Sequence, residues 1–124
     1  MKISSILCCF VVVLVFAAMP ALAQDPLKVA PKMFKEHLNN DHVRVLEYTS
    51  KPGQKDVMHS HPDMVLYVIK GGTLRSTGPD GTSKDIVYKT GDVMWREAIT
   101  HSGENIGKTE MKALLVETKS MTKK

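Results

Sequence analysis

Residues 52–72 read PGQKDVMHSHPDMVLYVIKGG, and this stretch decides the fold. It holds two histidines one residue apart, His59 and His61, followed by an apolar run rich in β-branched residues. Alternate residues of an extended strand point to the same face, so the two imidazoles are expected to project side by side. A third histidine, His101, follows in residues 91–105, GDVMWREAITHSGEN. Two imidazoles side by side on one strand and a third from a later strand indicate a cation site inside a β-barrel.

Short β-rich runs separated by turn residues extend over most of the chain. The first clear strand is expected at 42–49, after a turn at Asn39-Asn40-Asp41. Further strands are expected through His61, around His101, and at 63–70, 73–77, 83–88, 93–96 and 111–118. After the first two dozen residues, no stretch sustains a helical period over three turns. The chain is therefore predicted to be all-β, a sandwich or a barrel.

The first 23 residues are expected to form a signal peptide. Lys2 provides a short basic start, and the apolar stretch from Ile3 to Ala18 is shorter than the roughly 20 residues of a membrane-spanning helix. Ala21-Leu22-Ala23 is a small-x-small cleavage site that predicts a mature start at Gln24. The protein is thus expected to be exported, to the periplasm or the extracellular space, without a stable membrane anchor. The alternative is an uncleaved anchor.

The cysteine positions and the distribution of charge exclude several classes of function. Both cysteines, Cys8 and Cys9, lie in the apolar leader, so cleavage would leave no disulfide and no thiolate nucleophile or metal ligand. The 17 basic and 13 acidic residues give a formal net charge of +4, and no basic stripe is interleaved with aromatic residues. Nucleic acid is therefore not expected as a partner.

The rest of the chain is long enough for one domain and too short for two. Residues 24–40, with their two prolines, are expected to form an N-terminal arm on the surface, with a helical turn over Lys32 to Leu38. Residues 41–119 carry the predicted strands, and 120–124 form a solvated basic tail.

The histidine pair lies in a pattern that resembles the first motif of the cupin family, small jelly-roll barrels with a metal site inside. That motif is G-x5-H-x-H-x3/4-E-x6-G. It is matched by Gly53, His59 and His61, with Gly71 or Gly72 as the closing glycine. The resemblance implies a jelly-roll barrel of two antiparallel sheets.

The second cupin motif, G-x5-P-x-G-x2-H-x3-N, is matched by Gly91, His101 and Asn105, with one residue fewer between the glycine and the histidine. Together the two motifs extend the resemblance over about Val43 to Glu117. It implies a cupin domain at 41–119 that pairs with a second copy as a homodimer.

The chain departs from the family pattern at the ligands. Where the family places a glutamate ligand, residues 62–66 read PDMVL, and the most natural alignment puts Met64 at that position. Where the second motif has proline and glycine, this chain has Glu97 and Ile99. The resemblance therefore implies a variant metal site without the family's carboxylate.

The metal ligands implied by the motifs are His59, His61 and His101. Neutral imidazoles suit a divalent transition metal, whether iron, copper, nickel, manganese or zinc. Without a carboxylate the ion keeps its full charge, which favours an anionic ligand on the open positions. The alternative is a metal-free group of hydrogen-bonded histidines at the barrel mouth.

Four further residues are candidates for lining the site. Met64 either fills the space of the missing carboxylate or supplies a thioether ligand suited to copper. Asp63 shares strand parity with the second histidine, and Glu47 is the best spare carboxylate if it faces inward. Asn105 lies at the strand end near the third histidine, or forms a turn. No residue is assigned a catalytic role.

Two functions are compatible with these residues. The first is an exported binding module that holds a metal ion or a small molecule without turnover, favoured because the missing glutamate removes the family's most evident base. The second is a metal-dependent enzyme of the three-histidine cupin oxygenase type, acting on a small anionic compound. A small-molecule ligand and a second copy of the chain are the expected partners in both cases.

Overall fold

The computed structural model describes residues 24–120, so the predictions for 1–23 and for the tail at 121–124 lie outside the described residues. Between these bounds it contains one short helix, α1 (Pro26–Val29), and nine strands. The strands are β1 (Phe34–Asn39), β2 (Val43–Ser50), β3 (His59–His61), β4 (Met64–Lys70), β5 (Gly72–Thr77), β6 (Ser83–Tyr88), β7 (Val93–Arg96), β8 (Ile99–Asn105) and β9 (Met111–Thr118). The predicted all-β class is confirmed. No helix within 24–120 is long and apolar enough to cross a membrane.

The strands form two antiparallel sheets, as the sequence predicted. The larger sheet has the order β1-β2-β9-β4-β7 and the smaller sheet the order β3-β8-β5-β6. Strands that are distant in the chain become neighbours, since β2 pairs with β9 and β3 pairs with β8. This is the jelly-roll arrangement. In the smaller sheet β3 is an edge strand of three residues.

Side-chain alternation along the strands places the core between the two sheets. Along β9, Met111, Ala113, Leu115 and Glu117 are buried and the residues between them are partly exposed. The core also includes residues of β2 and β4, namely Leu46, Tyr48, Met64, Leu66 and Val68. Glu117 is the exception in β9, because the period of two turns its charge inward.

The N-terminal segment differs from the prediction. The helical turn expected over Lys32 to Leu38 lies earlier, in α1, where the Asp25 carboxylate caps the helix by accepting a hydrogen bond from the Leu27 amide at 2.8 Å. The residues expected in that turn largely form β1, which pairs with β2 at one edge of the larger sheet. Phe34 at the start of β1 is buried. Part of the expected surface arm is therefore a strand of the barrel.

Three motif residues hold the turns between strands. Gly53 and Gly91 have φ values of 80° and 89°, in the left-handed region that favours glycine. Asn105 is fully buried, and its Nδ2 donates to the carbonyls of Ser50 at 2.8 Å and Thr109 at 2.9 Å. The cupin-like spacing thus marks turns as well as the site.

Candidate metal centre

His59, His61 and His101 meet in a cavity between the two sheets. The first two lie on β3, and the third lies on β8 directly opposite His59. The ring centroid of His59 lies 4.8 Å from that of His61 and 4.9 Å from that of His101. The centroids of His61 and His101 are 5.6 Å apart. One nitrogen of each ring lies within 4.8 Å of the others. The structure therefore brings the three predicted ligands together.

Each imidazole makes a hydrogen bond at Nδ1. His59 Nδ1 donates to the Val57 carbonyl at 2.7 Å, and His61 Nδ1 donates to the Glu117 carboxylate at 2.6 Å. The Nδ1 of the third histidine lies 2.8 Å from Ser76 Oγ. Because a carbonyl and an ionised carboxylate only accept, Nδ1 of the first two rings carries a proton, which leaves Nε2 as the nitrogen that can bind a ligand.

The Nε2 atom of His59 is buried and has no hydrogen-bond partner among residues 24–120. Burying such an acceptor without a partner costs free energy, so its persistence points to a ligand. Metal-ligating histidines show the same arrangement, in which the second ring nitrogen donates to a carbonyl or a carboxylate and fixes the ring.

A buried carboxylate that the sequence analysis did not predict, Glu117, supports His61. Its side chain is 2% exposed, and its Oε2 accepts a hydrogen bond from Arg44 Nε at 2.7 Å. Arg44 Nη1 in turn donates to Asp25 at 2.6 Å. Burial would raise the pKa of Glu117, but the hydrogen bonds from His61 and Arg44 hold it below its usual range. The carboxylate is thus ionised, and Arg44 neutralises it.

A second buried carboxyl, Asp56, lies beside His59. Its Oδ1 accepts from the Gly103 amide at 2.6 Å and is 3.6 Å from His59 Nδ1. Burial raises the pKa of Asp56 to about 6. The Tyr48 hydroxyl is also buried, has no hydrogen-bond partner in the described part of the chain, and has a pKa raised by burial. Both side chains line the cavity of the histidines.

The environment keeps two of the imidazoles neutral. Burial lowers the pKa of His59 to about 4. Burial, with the neighbouring histidines and Arg96, lowers the pKa of His101 to about 3. Neutral imidazole is the form that coordinates metal, so these shifts favour ligation near neutral pH.

Of the four further candidates, Met64 lies in the cavity. It is 4% exposed and faces the same space as Leu66. The family motif has three or four residues between the second histidine and the glutamate. Counted in this way from His61, the glutamate position falls at Val65 or Leu66 rather than at Met64. The inner face of β4 carries only apolar side chains near the site, so it offers no carboxylate under either alignment.

The other three candidates do not line the cavity. β2 turns its even-numbered residues inward, so Glu47 faces outward and accepts a hydrogen bond from His37 at 2.9 Å. Asp63 accepts from the Ala98 amide at 2.7 Å and serves the turn after β3. Asn105 is the last residue of β8, the strand of His101, and its side chain makes the turn contacts described above.

Some of the residues that sequence reasoning missed carried a signal. Glu117 follows Met111, Ala113 and Leu115 at the same strand parity, which predicts a buried charge. Phe34, whose ring centroid lies 5.2 Å from that of His59, had no such signal because its segment was interpreted as a surface arm.

The residues present fit a divalent transition ion. Imidazole nitrogens lie about 2.0–2.1 Å from such an ion, which limits the separation of two ligand atoms to about 4.2 Å. The ligand nitrogens here lie within 4.8 Å, so small ring movements suffice to close the site. His59, His61 and His101 could therefore hold a metal ion through Nε2.

Comparison with known proteins identifies the architecture. A scan of protein-family models finds no match, and a search of curated proteins finds no significant one. Among solved structures, a cupin domain from Bordetella pertussis is 27% identical, with a TM-score of 0.65 over 71% of this chain and 93% of that one. This chain has the cupin fold.

Two other solved structures share this cupin architecture. A protein with a double-stranded β-helix domain from Klebsiella pneumoniae is 21% identical, with a TM-score of 0.56 over 69% of this chain and 75% of that one. An RmlC-like cupin from Methanocaldococcus jannaschii is 20% identical, with a TM-score of 0.55 over 68% of this chain and 77% of that one. Both show the fold alone.

Replacing the buried carboxylate tests its structural role in this fold. Glu117→Gln should lower the free energy of unfolding by about 3 kcal/mol, the low end for a buried ion pair that loses one partner, because Asp25 still pairs with Arg44. Asp85→Asn, which breaks the exposed pair with Arg75, is the control and should cost far less, because solvent screens an exposed pair. Urea unfolding measures both, and equal losses would contradict the prediction.

The lowered histidine pKa values predict a pH-dependent stability of the metal-free protein between pH 5 and 6. In that range the unfolded chain binds two protons on His59 and His101 that the fold excludes, while the fold retains one on Asp56. The unfolded state thus binds about one proton more, so stability should fall by about 1.4 kcal/mol per unit of decreasing pH.

His101→Gln should bring this slope close to zero, since it removes one of the two excess protons. His42→Gln, which changes an exposed histidine outside the cavity, should keep the original slope. Urea unfolding in the presence of a chelator measures the slopes. An unchanged slope in His101→Gln would show that this imidazole titrates alike in the folded and unfolded chain.

Proposed function

We propose that this cupin is an exported module that binds a divalent transition metal through His59, His61 and His101. The observation that carries the proposal is the clustering of the three rings, with one nitrogen of each within 4.8 Å of the others, while every Nδ1 is engaged in a hydrogen bond and Nε2 is left for a ligand. The unpartnered, buried Nε2 of His59 supports it. Iron, copper, nickel, manganese and zinc all suit this donor set.

The protein's own residues set the properties of such a centre. The three neutral ligands contribute no charge, and the nearby carboxylate of Glu117 is neutralised by Arg44. A bound ion would supply a Lewis-acidic positive centre with open coordination positions. Phe34, Leu66 and Ile99 line the same cavity and limit the access of water.

A second candidate function is a metal-dependent enzyme of the three-histidine cupin oxygenase type. It is favoured by two polar groups that the binding role does not need, the Asp56 carboxyl and the unpartnered Tyr48 hydroxyl, both in the cavity. Either group could exchange a proton with a bound compound. Consumption of dioxygen by metal-loaded protein with a small anionic compound, slowed in Tyr48→Phe at unchanged metal content, would support the enzyme.

Metal analysis tests the binding module. Wild-type protein purified from its native compartment should carry about one transition metal ion per chain. The double variant His59→Ala/His61→Ala should lose more than about 100-fold in affinity in a chelator competition, since even the outer partners of ligating histidines are worth 10- to 100-fold. Glu117→Gln, which replaces the carboxylate of such a partner by an uncharged amide, should fall in that smaller range.

The matched control is the double variant His37→Ala/His42→Ala, which removes two histidines outside the cavity and should leave metal content unchanged. Bound metal that persists in His59→Ala/His61→Ala would place the ion elsewhere.

Export remains a proposal that rests on the leader sequence. Mass spectrometry of protein from cells that express the full chain should show a mature start at Gln24, after cleavage at Ala23. Intact protein beginning at Met1 in the membrane fraction would favour an uncleaved anchor instead.

The homodimer is likewise a proposal. It is supported by exposed apolar side chains on the outer face of the larger sheet, where Tyr67, Val93 and Trp95 are 43%, 66% and 52% exposed on paired strands. Contiguous apolar surface of this kind marks association sites. Light scattering should give twice the chain mass, and a monomer mass at all concentrations would exclude the dimer.

A further inference from the structure

The inner face of the larger sheet carries a row of four residues that are direct neighbours across strands. Arg44 pairs with Glu117, Glu117 pairs with Met64, and Met64 pairs with Arg96. At one end of the row, Arg44 pairs with the Glu117 carboxylate and, outside the row, with that of Asp25. The uncharged Met64 separates the arginine at the other end from this network.

Arg96 points between the sheets. Along β7, Val93 and Trp95 are exposed, whereas Met94 packs against the core and Arg96 is half-buried. Arg96 lines the cavity together with His101. Its positive charge is one of the influences, after burial and the neighbouring histidines, that keep His101 neutral. The guanidinium is thus electrostatically part of the candidate site.

Within residues 24–120 the guanidinium of Arg96 makes no ion pair and no side-chain hydrogen bond. Among the arginines of that part of the chain, Arg44 and Arg75 form salt bridges, with Asp25, Glu117 and Asp85, and Arg96 forms none. Asp56, the other carboxyl of the cavity, is held by the Gly103 amide and lies more than 4.0 Å from any arginine. The five N–H donors of this half-buried guanidinium therefore remain available to a ligand.

The chemistry of this group selects its ligand. A guanidinium presents a planar pair of donors that match the two oxygens of a carboxylate, and such charge-assisted pairs are the strongest hydrogen bonds in proteins. The cavity has about 60 Å³ open to the centres of water-sized atoms. At about 15 Å³ per water, that space holds roughly four waters or a molecule of a few heavy atoms. Its remaining wall is largely apolar, with Leu74 and Ile99 among the lining residues.

We propose that Arg96 is the recognition residue for a small organic carboxylate that binds in the cavity beside the three histidines. The inference deepens the proposed function by naming the ligand class. It rests on that function in one respect, namely that the far end of the carboxylate compound would face the metal ligands. The anion would supply the negative charge that Met64 does not provide next to Arg96.

Acetate and acetamide are matched probes, since they have the same shape and number of heavy atoms and differ in charge. Titrations followed by the ¹H–¹⁵N resonances of cavity residues, in metal-free and cobalt-loaded protein, should show that wild type binds acetate at least about tenfold more tightly than acetamide. Arg96→Gln should lower acetate affinity by about tenfold or more, the equivalent of one charged hydrogen bond, and leave acetamide unchanged. Arg75→Gln, at an exposed arginine outside the cavity, removes the same charge and should behave as wild type.

A second pair of variants tests the same idea without removing the arginine. Met64→Glu places a carboxylate opposite Arg96 and should lower acetate affinity by a similar factor, because it occupies the guanidinium. Met64→Gln, of equal size without charge, should retain acetate selectivity. Arg96→Lys should give an intermediate affinity, since it keeps the charge and loses the planar pair of donors.

Cobalt uptake, measured on the same samples, separates this inference from the proposed function. Arg96→Gln should still take up one cobalt ion per chain, with an affinity no lower than that of wild type, because it keeps all three histidines and removes a positive charge near the ion. Acetate selectivity that depends on Arg96 in protein that takes up no cobalt would leave the inference standing and overturn the metal site. No selectivity for acetate over acetamide in either form, or equal selectivity in Arg96→Gln, would overturn the inference.

Discussion

The contact on which the interior of this barrel depends is the buried hydrogen bond between Glu117 and His61. It joins the larger sheet to the smaller one, because Glu117 lies on β9 and His61 on β3. A buried carboxylate is tolerated only with full compensation, and Arg44 provides it from the neighbouring strand while Asp25 completes the network from the N-terminal segment. Orientation of one histidine, closure of the two sheets and docking of the N-terminal segment are thus parts of a single electrostatic arrangement.

Much of the fold could be predicted from the sequence, because its determinants are local. The period of two and the turn residues located strands such as 83–88 and 111–118, and the paired motifs gave the spacing of His59, His61 and His101. Motif spacing does not specify which residues of two strands lie opposite each other. In the structure, the pairing of β3 with β8 places His101 opposite His59. The histidine cluster is predictable because alternation puts His59 and His61 on the same face of one strand, and the spacing of the two motifs adds His101 from a second strand.

The parts that could not be predicted depend on which face of a strand is buried and on contacts between distant segments. Glu47 and Arg44 lie on opposite faces of β2, and both faces carry apolar residues, so the sequence pattern does not show which face is buried. Glu47 was therefore considered for the site, although it is Arg44 that faces inward. Phe34 reaches the histidines only because β1 joins the sheet, a pairing that no pattern within residues 34–39 reveals. Met64 was placed correctly in the cavity, but the importance of its position comes from its register with Arg96 and Glu117.

The small size of β3 affects how fast an ion or molecule held in the histidine cavity can exchange with solvent. Two of the three clustered histidines lie on this three-residue edge strand, which pairs on one side with β8 and whose central amide bonds to the Gln24 carbonyl at 2.9 Å. Edge segments with few backbone bonds are the first to open locally in a folded protein. One opening event would displace both rings together. The time that a bound ion or molecule stays in the cavity would then depend on the opening rate of β3 and on the stability of its contact with the N-terminal segment.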